Sequence, residues 1–290
     1  MNLSFRKFLG TFVAVLFFVF LTQFVNSATF TDNFPLKVVF LDIGQGDSIL
    51  INYLDRHQIL IDGGPDGKKL MYELGKVMPK NDKEIEVVIA THPDWDHFGG
   101  FIDLIDYYSV KSFLTSDIEN EKTSFQKLIK KIEDKNIKIN SPEVGSRIDI
   151  GEYLDIEFLA PDSGNDFKDG NDNSIVTRVD FGKNSFLFTG DIGKKPEAYL
   201  VKEYGNLLDV DWLKVAHHGS KNSSSDIFLE KVSPEFAVIS AGKDNRYGHP
   251  AVEALERLKN VDADVLRTDE IESIVVGCET PKKKSCEVLD

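Results

Sequence analysis

Positive charge is what this sequence has too little of. Across 290 residues, 34 lysines and arginines face 48 aspartates and glutamates, giving a formal charge of −14 at pH 7. So acidic a surface disfavours broad electrostatic binding to nucleic acid or anionic lipid, because phosphate binders carry a basic footprint. Any phosphate-bearing substrate must therefore be held locally. Cysteine is also scarce. Cys278 and Cys286 are the only two, with neither a second pair nor a nearby histidine, which argues against a cysteine zinc site. In an oxidising compartment they could close a small disulfide loop around Lys282 to Lys284; the alternative is two free thiols. No internal repeat and no proline- or serine-rich linker interrupts residues 29 to 290. One domain is the economical reading, and a 41% hydrophobic fraction is ample for a large core.

The first 28 residues differ in kind. Arg6 and Lys7 precede an uncharged apolar run from Phe8 to Leu21, and the small residues Ser27 and Ala28 follow. This pattern is expected of a secretory signal peptide, cut after Ser27 or Ala28. The alternative is an uncleaved N-terminal anchor, since Phe8 to Val25 is nearly long enough to span a bilayer. Either way residues 29 to 290 are expected outside the cytoplasm, secreted or membrane-anchored, with membrane contact only through this segment. Losing Arg6 and Lys7 takes the formal charge from −14 to −16.

Apolar runs at Leu36 to Leu41, Ser48 to Tyr53 and Gln58 to Ile61, joined by tight turns, predict the start of a sheet. Leu70, Met71, Leu74 and Val77 share one side of a helix over 68–78, which Pro79 stops. Strands are expected at 85–90 and 111–115, and helices at 98–108 and 124–135. Two hairpins follow over 147–160 and 174–189, separated by the polar loop 161–173. The charged run KKIEDK in the second of those helices reads as a solvated, intrahelically paired face. From Gly193 onward helix and strand alternate to the end of the chain. The expected fold class is α/β, with two mixed β-sheets flanked by helices.

The stretch Thr91 to Gly100, THPDWDHFGG, gathers four ligand-type side chains: His92, Asp94, Asp96 and His97. Pro93 biases His92 towards an extended backbone, so the segment reads as a strand end entering a loop. Two later strands also end in such residues, Phe186 to Gly190 in Asp191 and Trp212 to Ala216 in His217-His218. Acids and imidazoles at neighbouring strand ends converge on one rim of a sheet, where loops build sites. Taken singly, Asp191 reads as a turn residue and a lone histidine as a structural one; their joint placement points to metal. His92, Asp94, Asp96, His97, Asp191 and His217 can hold two divalent cations if Asp191 bridges them. Asp42, Gln45 and Asp47 fall at a strand turn whose glycines imply a tight backbone shape first and a contact with the metal loops second.

Seven segments, FLDIGQGDSILI, LIDGG, THPDWDHFGG, DNSIVTRV, FLFTGDI, LKVAHHGS and AGKDNRYGHP, occur in that order. Together they resemble the metallo-β-lactamase superfamily and, within it, the extracytoplasmic hydrolase domain of the ComEC family of DNA-internalisation competence proteins and its stand-alone relatives. The resemblance implies an αββα sandwich over residues 29 to 290, without the channel region through which DNA would cross a membrane. It makes Asp191 the metal-bridging acid, His217 the late histidine ligand, and Asp62 a brace for the metal loop. Two departures stand out. Asp94 replaces the usual second histidine, and the histidine that many members carry before the bridging acid is missing, with Asp172-Asn173-Ser174 in that interval. Asp172 or Asn173 could donate an oxygen there, or water could fill the gap. An oxygen-rich site shifts preference towards harder ions, so zinc and manganese are both expected cofactors.

The implied chemistry is hydrolytic and metal-assisted. Asp96 counts as both ligand and catalytic group, while His218 or His249 would protonate the leaving group. His249 reads equally well as a helix-entry residue before Pro250. Asn173 and Ser220 are candidate phosphate contacts. The first functional expectation is an extracytoplasmic phosphodiesterase or nuclease, with single-stranded DNA a candidate substrate. The second is a hydrolase of a small phosphoester, lactam or thioester, since the fold hosts all of these. The third is a non-catalytic, metal-stabilised binding module.

Overall fold

The computed structural model describes residues 34–116, 120–161, 167 and 170–289. The expected leader lies outside them. The chain opens with an antiparallel meander, β1 (Leu36–Phe40), β2 (Ile49–Tyr53) and β3 (His57–Ile61). Helix α1 (Gly67–Val77) follows, its first turn capped by the Asp66 carboxylate, which accepts from the Lys68 and Lys69 N–H groups. Strand β4 (Glu84–Ala90) then adds in parallel to β3. Two short helices, α2 (Trp95–Phe98) and α3 (Phe101–Tyr107), lead to β5 (Ser109–Thr115), and α4 (Thr123–Asp134) leads to β6 (Lys138–Asn140).

The second half repeats this order of pairings. Strands β7 (Arg147–Ile150), β8 (Leu154–Ala160), β9 (Val176–Phe181) and β10 (Asn184–Phe188) form an antiparallel meander. Helices α5 (Lys194–Tyr204), α6 (Asp226–Val232) and α7 (Val252–Asn260) then alternate with the parallel strands β11 (Trp212–Lys214), β12 (Phe236–Ile239) and β13 (Asp264–Arg267). After α8 (Thr268–Ile271), β14 (Ile274–Cys278) returns to pair with β1, and β15 (Cys286–Leu289) closes that edge. The result is an eight-stranded and a seven-stranded sheet, both mixed. Cys278 and Cys286 are opposite each other in the β14–β15 register and are disulfide-bonded.

Burial shows why the sheets stack. Phe40, Phe158, Phe181, Phe186, Phe188 and Trp212 fill the space between them. Leu70, Phe98, Phe101, Phe113 and Phe125 form a second apolar layer with the helices of the first half, and Leu200, Leu213, Phe228 and Leu258 a third with those of the second. Four layers, helix on sheet on sheet on helix, answer the expected class.

Three local differences have physical causes. The helix expected over 98–108 is two, broken at Gly99-Gly100. There the Gly100 N–H donates to the Gly64 carbonyl, and a Cβ at Gly100 would lie 2.0 Å from the Gly63 oxygen. Strand β6 has three residues, too few for periodicity to register. The lysines of KKIEDK reach to a neighbouring helix, Lys131 and Lys135 both pairing with Asp106 at 2.6 and 3.0 Å.

Candidate metal centre

The loops that follow β3, β4, β10, β11 and β12 meet at one edge of the sandwich. The Ile175 N–H donates to the Thr91 carbonyl, and the His217 N–H to the Gly190 carbonyl. Asp62, just past β3, adopts a left-handed backbone (φ 57°), which a short polar side chain tolerates. Its Oδ1 accepts from the Thr91 N–H (2.8 Å), and its Oδ2 from the Thr91 hydroxyl (2.8 Å) and His97 Nδ1 (2.7 Å). With its proton engaged on Asp62, the Thr91 hydroxyl accepts from His92 Nδ1 at 3.0 Å. His92 and His97 thus both carry a proton on Nδ1 and keep Nε2 for something else.

His218 reaches the same state from the other half. Its Nδ1 is 3.0 Å from the Ser240 carbonyl, which can only accept, and 3.3 Å from Asp47 Oδ1. Asp47 is in turn held by Lys214 Nζ at 2.6 Å, both side chains being buried. His217 and His218 are consecutive left-handed residues (φ 50° and 54°), a costly backbone for non-glycine residues. The loop carrying Asp47 packs directly on the metal loop, because Gly46 has no Cβ; one would sit 2.1 Å from the Asp96 oxygen.

Asp191 is the meeting point. Its Oδ2 is 3.2 Å from His97 Nε2, 3.3 Å from His218 Nε2 and 3.9 Å from His217 Nε2, while Asp96 Oδ2 is 3.6 Å from His218 Nε2. Donor atoms of His92, His97 and Asp191 lie within 4.8 Å of one another, as do those of Asp96, His97 and His218, and of Asp47, Asp191 and His218. Among the described residues, the Nε2 atoms of His92, His97 and His218 and Oδ1 of Asp191 are buried and find no hydrogen-bond partner. Buried polar atoms rarely go unpaired. Imidazole nitrogens and carboxylate oxygens turned to one point fit a divalent cation.

Protein groups alone divide the charge unevenly. Burial, with His97 adjacent, pushes His92 down to about 3. Burial also opposes charge on His97, but Asp191 and Asp62 outweigh it and raise this imidazole well above its ordinary value. His218 is raised in the same way by Asp191 and Asp47. Burial would raise Asp191, yet His218 and His97 hold it well below the usual carboxylate range. Without a cation the carboxylates draw second protons onto two imidazoles, and a cation would displace them.

The metallo-β-lactamase superfamily model matches residues 41–243, which takes in every donor just described. The chain belongs to the metallo-β-lactamase superfamily. ComE operon protein 3 of Bacillus subtilis is 31% identical to it over 81% of this chain and 32% of that protein. Competence protein ComA of Neisseria gonorrhoeae is 32% identical over 79% of this chain and 30% of that protein. The chain thus spans roughly a third of the length of these curated relatives. Among solved structures, CmlA, a diiron β-hydroxylase from Streptomyces venezuelae, superposes with a TM-score of 0.50 at 13% identity, covering 88% of this chain and 54% of that one. That likeness concerns the fold. Family and donor set together make this a metal-dependent hydrolase of the metallo-β-lactamase superfamily.

Within that superfamily fold, His92, Asp96, His97 and Asp191 come together as the sequence implies. His218, read as a proton donor, is the member of the late pair inside the donor groups; His217, read as the ligand, is in none of those groups, and its side chain is 34% exposed. Asp94 is likewise in none of them: its Oδ2 is 3.9 Å from His92 Nε2, and its Oδ1 pairs with Lys122. Asn173 exchanges hydrogen bonds with the Phe167 backbone, and Asp172 accepts from the Gly193 N–H. It is Ser174 that approaches the centre, its hydroxyl 3.3 Å from His92 Nδ1 and accepting from the Asp191 N–H. The Ser220 hydroxyl accepts from the Asn222 N–H in its own turn. His249 stands outside the donor groups, its ring 5.8 Å from that of His217. Thr91, Lys214 and Ser174 escape a sequence reading. Lys214 alone leaves a signal, as a lysine inside an apolar strand.

Proposed function

We propose that this chain hydrolyses phosphodiesters, working outside the cytoplasm with two divalent cations, zinc or manganese. His92 with Asp191 would hold one, and Asp96, His97 and His218 with the same Asp191 the other. When bound, divalent cations supply Lewis acidity towards a phosphoryl oxygen and acidify water. The observation that carries the choice of substrate is a cleft of about 270 Å³ in which Asp191 and His217 sit beside Lys194 and Lys195. On an acidic chain, two exposed lysines at the mouth of the centre are the local attraction that a phosphate needs. His217, partly exposed at that mouth, is placed to give a proton to the leaving oxygen. One water would be consumed: its oxygen forms a new bond to phosphorus as the P–O bond to the leaving oxygen breaks, one product leaves as an alcohol, and the other is a phosphomonoester. The relative named as a competence protein favours DNA as the polymer.

The test is hydrolysis of single-stranded DNA and of bis-para-nitrophenyl phosphate by the metal-stripped chain reloaded with manganese or zinc. Both substrates should be cleaved, and Asp191→Ala should lower both rates at least ~100-fold, the upper loss expected from removing a mere support of a metal ligand. Cleavage of the small ester alone would move the reading to a small-molecule phosphodiesterase. No turnover of either, with two ions bound per chain, would overturn it.

A further inference from the structure

A second cleft of about 460 Å³ opens beside the metal centre, lined by Gln45, Trp95, Asp96, Asn245, Arg246 and Tyr247. It shares Asp96 with the donor groups, so whatever fills it lies next to the reacting atoms. Trp95 is 50% exposed and Tyr247 54%, a large apolar area to leave in water on two separate loops. Both loops are built to hold them there. The Trp95 ring rests edge-on against Phe98, with centroids 5.5 Å apart, and a Cβ on Gly99 would come within 2.9 Å of its Cε2. Asn245 pins the other loop: its amide donates to the Gly242 and His249 carbonyls and accepts from the Tyr247 and His249 N–H groups. The Arg246 guanidinium lies 5.0 Å from the Tyr247 ring centroid and donates to its hydroxyl at 2.9 Å.

We propose that this cleft is a nucleobase subsite, in which Trp95 stacks an unpaired base of a single-stranded nucleic acid while Arg246 meets its phosphate and the Gln45 amide faces the base edge. The proposal rests on the phosphodiester reading and adds what that reading lacks, a way for so acidic a chain to hold a polyanion. Stacking on an aromatic face needs no net positive charge and accepts any base, because every base has a π-face. It also requires a base that is free, since in a duplex those faces are covered by neighbouring pairs. An arginine beside two aromatic rings suits a base with its phosphate better than a peptide or a bare sugar.

The chain has two tryptophans, and Trp212 is 1% exposed, so a change in indole emission on binding reports Trp95. The probes are oligodeoxyadenylate and an abasic oligonucleotide of equal length, titrated into the metal-stripped chain so that cleavage does not consume them. The based strand should quench emission and bind more tightly than the abasic one. Trp95→Ala should weaken it ~10-fold, within the range for losing one stacked base, and erase the preference over the abasic strand. Trp95→Phe should restore part of that preference, and Tyr247→Ala, on the other loop, should lower it without touching the metal segment. Equal binding of based and abasic strands, or an unchanged preference in Trp95→Ala, would overturn the subsite. Failure of the phosphodiester reading would appear separately, as absence of turnover in the reloaded chain despite base-dependent quenching.

Discussion

Asp62 with His97 and Asp47 with His218 are the same device built twice, with different supports. In each, a buried carboxylate sits against an imidazole Nδ1, and Nε2 turns to Asp191. Asp62 is supported by neutral donors, the N–H and hydroxyl of Thr91; burial raises its carboxyl above the ordinary value, His97 notwithstanding. For Asp47 burial works in the same direction, but Lys214 and His218 overcome it and hold the carboxyl far below that value. Hydrogen bonds orient a carboxylate without removing the cost of burying its charge, whereas a buried ammonium does both and becomes indispensable.

The strongest way to break this contrast is to remove each support. Lys214→Met leaves Asp47 buried beside a neutral side chain and should destabilise the fold by about 3–5 kcal/mol. Thr91→Val strips hydroxyl support from Asp62 and should cost about 1–3 kcal/mol. Urea denaturation of the two variants measures both, and equal losses would mean that the supports are equivalent. Adding Asp47→Asn to Lys214→Met should recover part of the first loss.

Next in size is the effect on metal. Asp47→Asn and Asp62→Asn should each weaken cation binding about 10–100-fold, as expected when the partner of a ligating histidine is lost; competition with a chromogenic chelator reads it. His217 and His218 sharpen the comparison, since His218→Ala should lower the number of bound ions and His217→Ala should leave it unchanged while reducing turnover. Equal stoichiometry in the two variants would return the ligand role to His217.

The smallest effect is on pH. His97 and His218 are raised well above 6.5, so the stability they contribute is complete below that pH and is lost as pH rises through their folded values. His92, pushed down to about 3, acts oppositely, favouring the fold above 6.5 and losing that advantage as pH falls towards 3. The metal-stripped chain should therefore have its highest Tm near neutrality and decline on the alkaline side by a few degrees, about 1 kcal/mol in a domain this size. Zinc, which takes the place of the second protons, should flatten that alkaline decline.

Much of this centre can be read from the sequence, and the reason is the chain's economy. Of its six histidines, all but His57 lie in or beside the centre, and His92 and the His217-His218 pair follow closely on runs whose apolar character marks them as strands. His92, Asp96, His97 and Asp191 are legible because strand ends share one rim. The order of His217 and His218 is not, because two successive left-handed residues decide which ring turns inward, and nothing in the residue types announces that turn. Ser174 is illegible for a similar reason: its approach to His92 spans 82 positions of sequence and depends on how the two sheets are stacked. The helix break at Gly99-Gly100 needs the carbonyls of another loop.

The bond from the Ile175 N–H to the Thr91 carbonyl, 2.9 Å long, ties the loop that carries His92 to the sheet that carries Asp191. The donor groups that include Asp191 or His218 draw on both halves of the molecule: His92, Asp96 and His97 belong to one, Asp191 and His218 to the other. The spacing of the two sheets is thus the gauge that sets donor distances. A substitution deep between them, at Phe188 or Phe40, would be felt as a change in metal affinity at an edge it never touches.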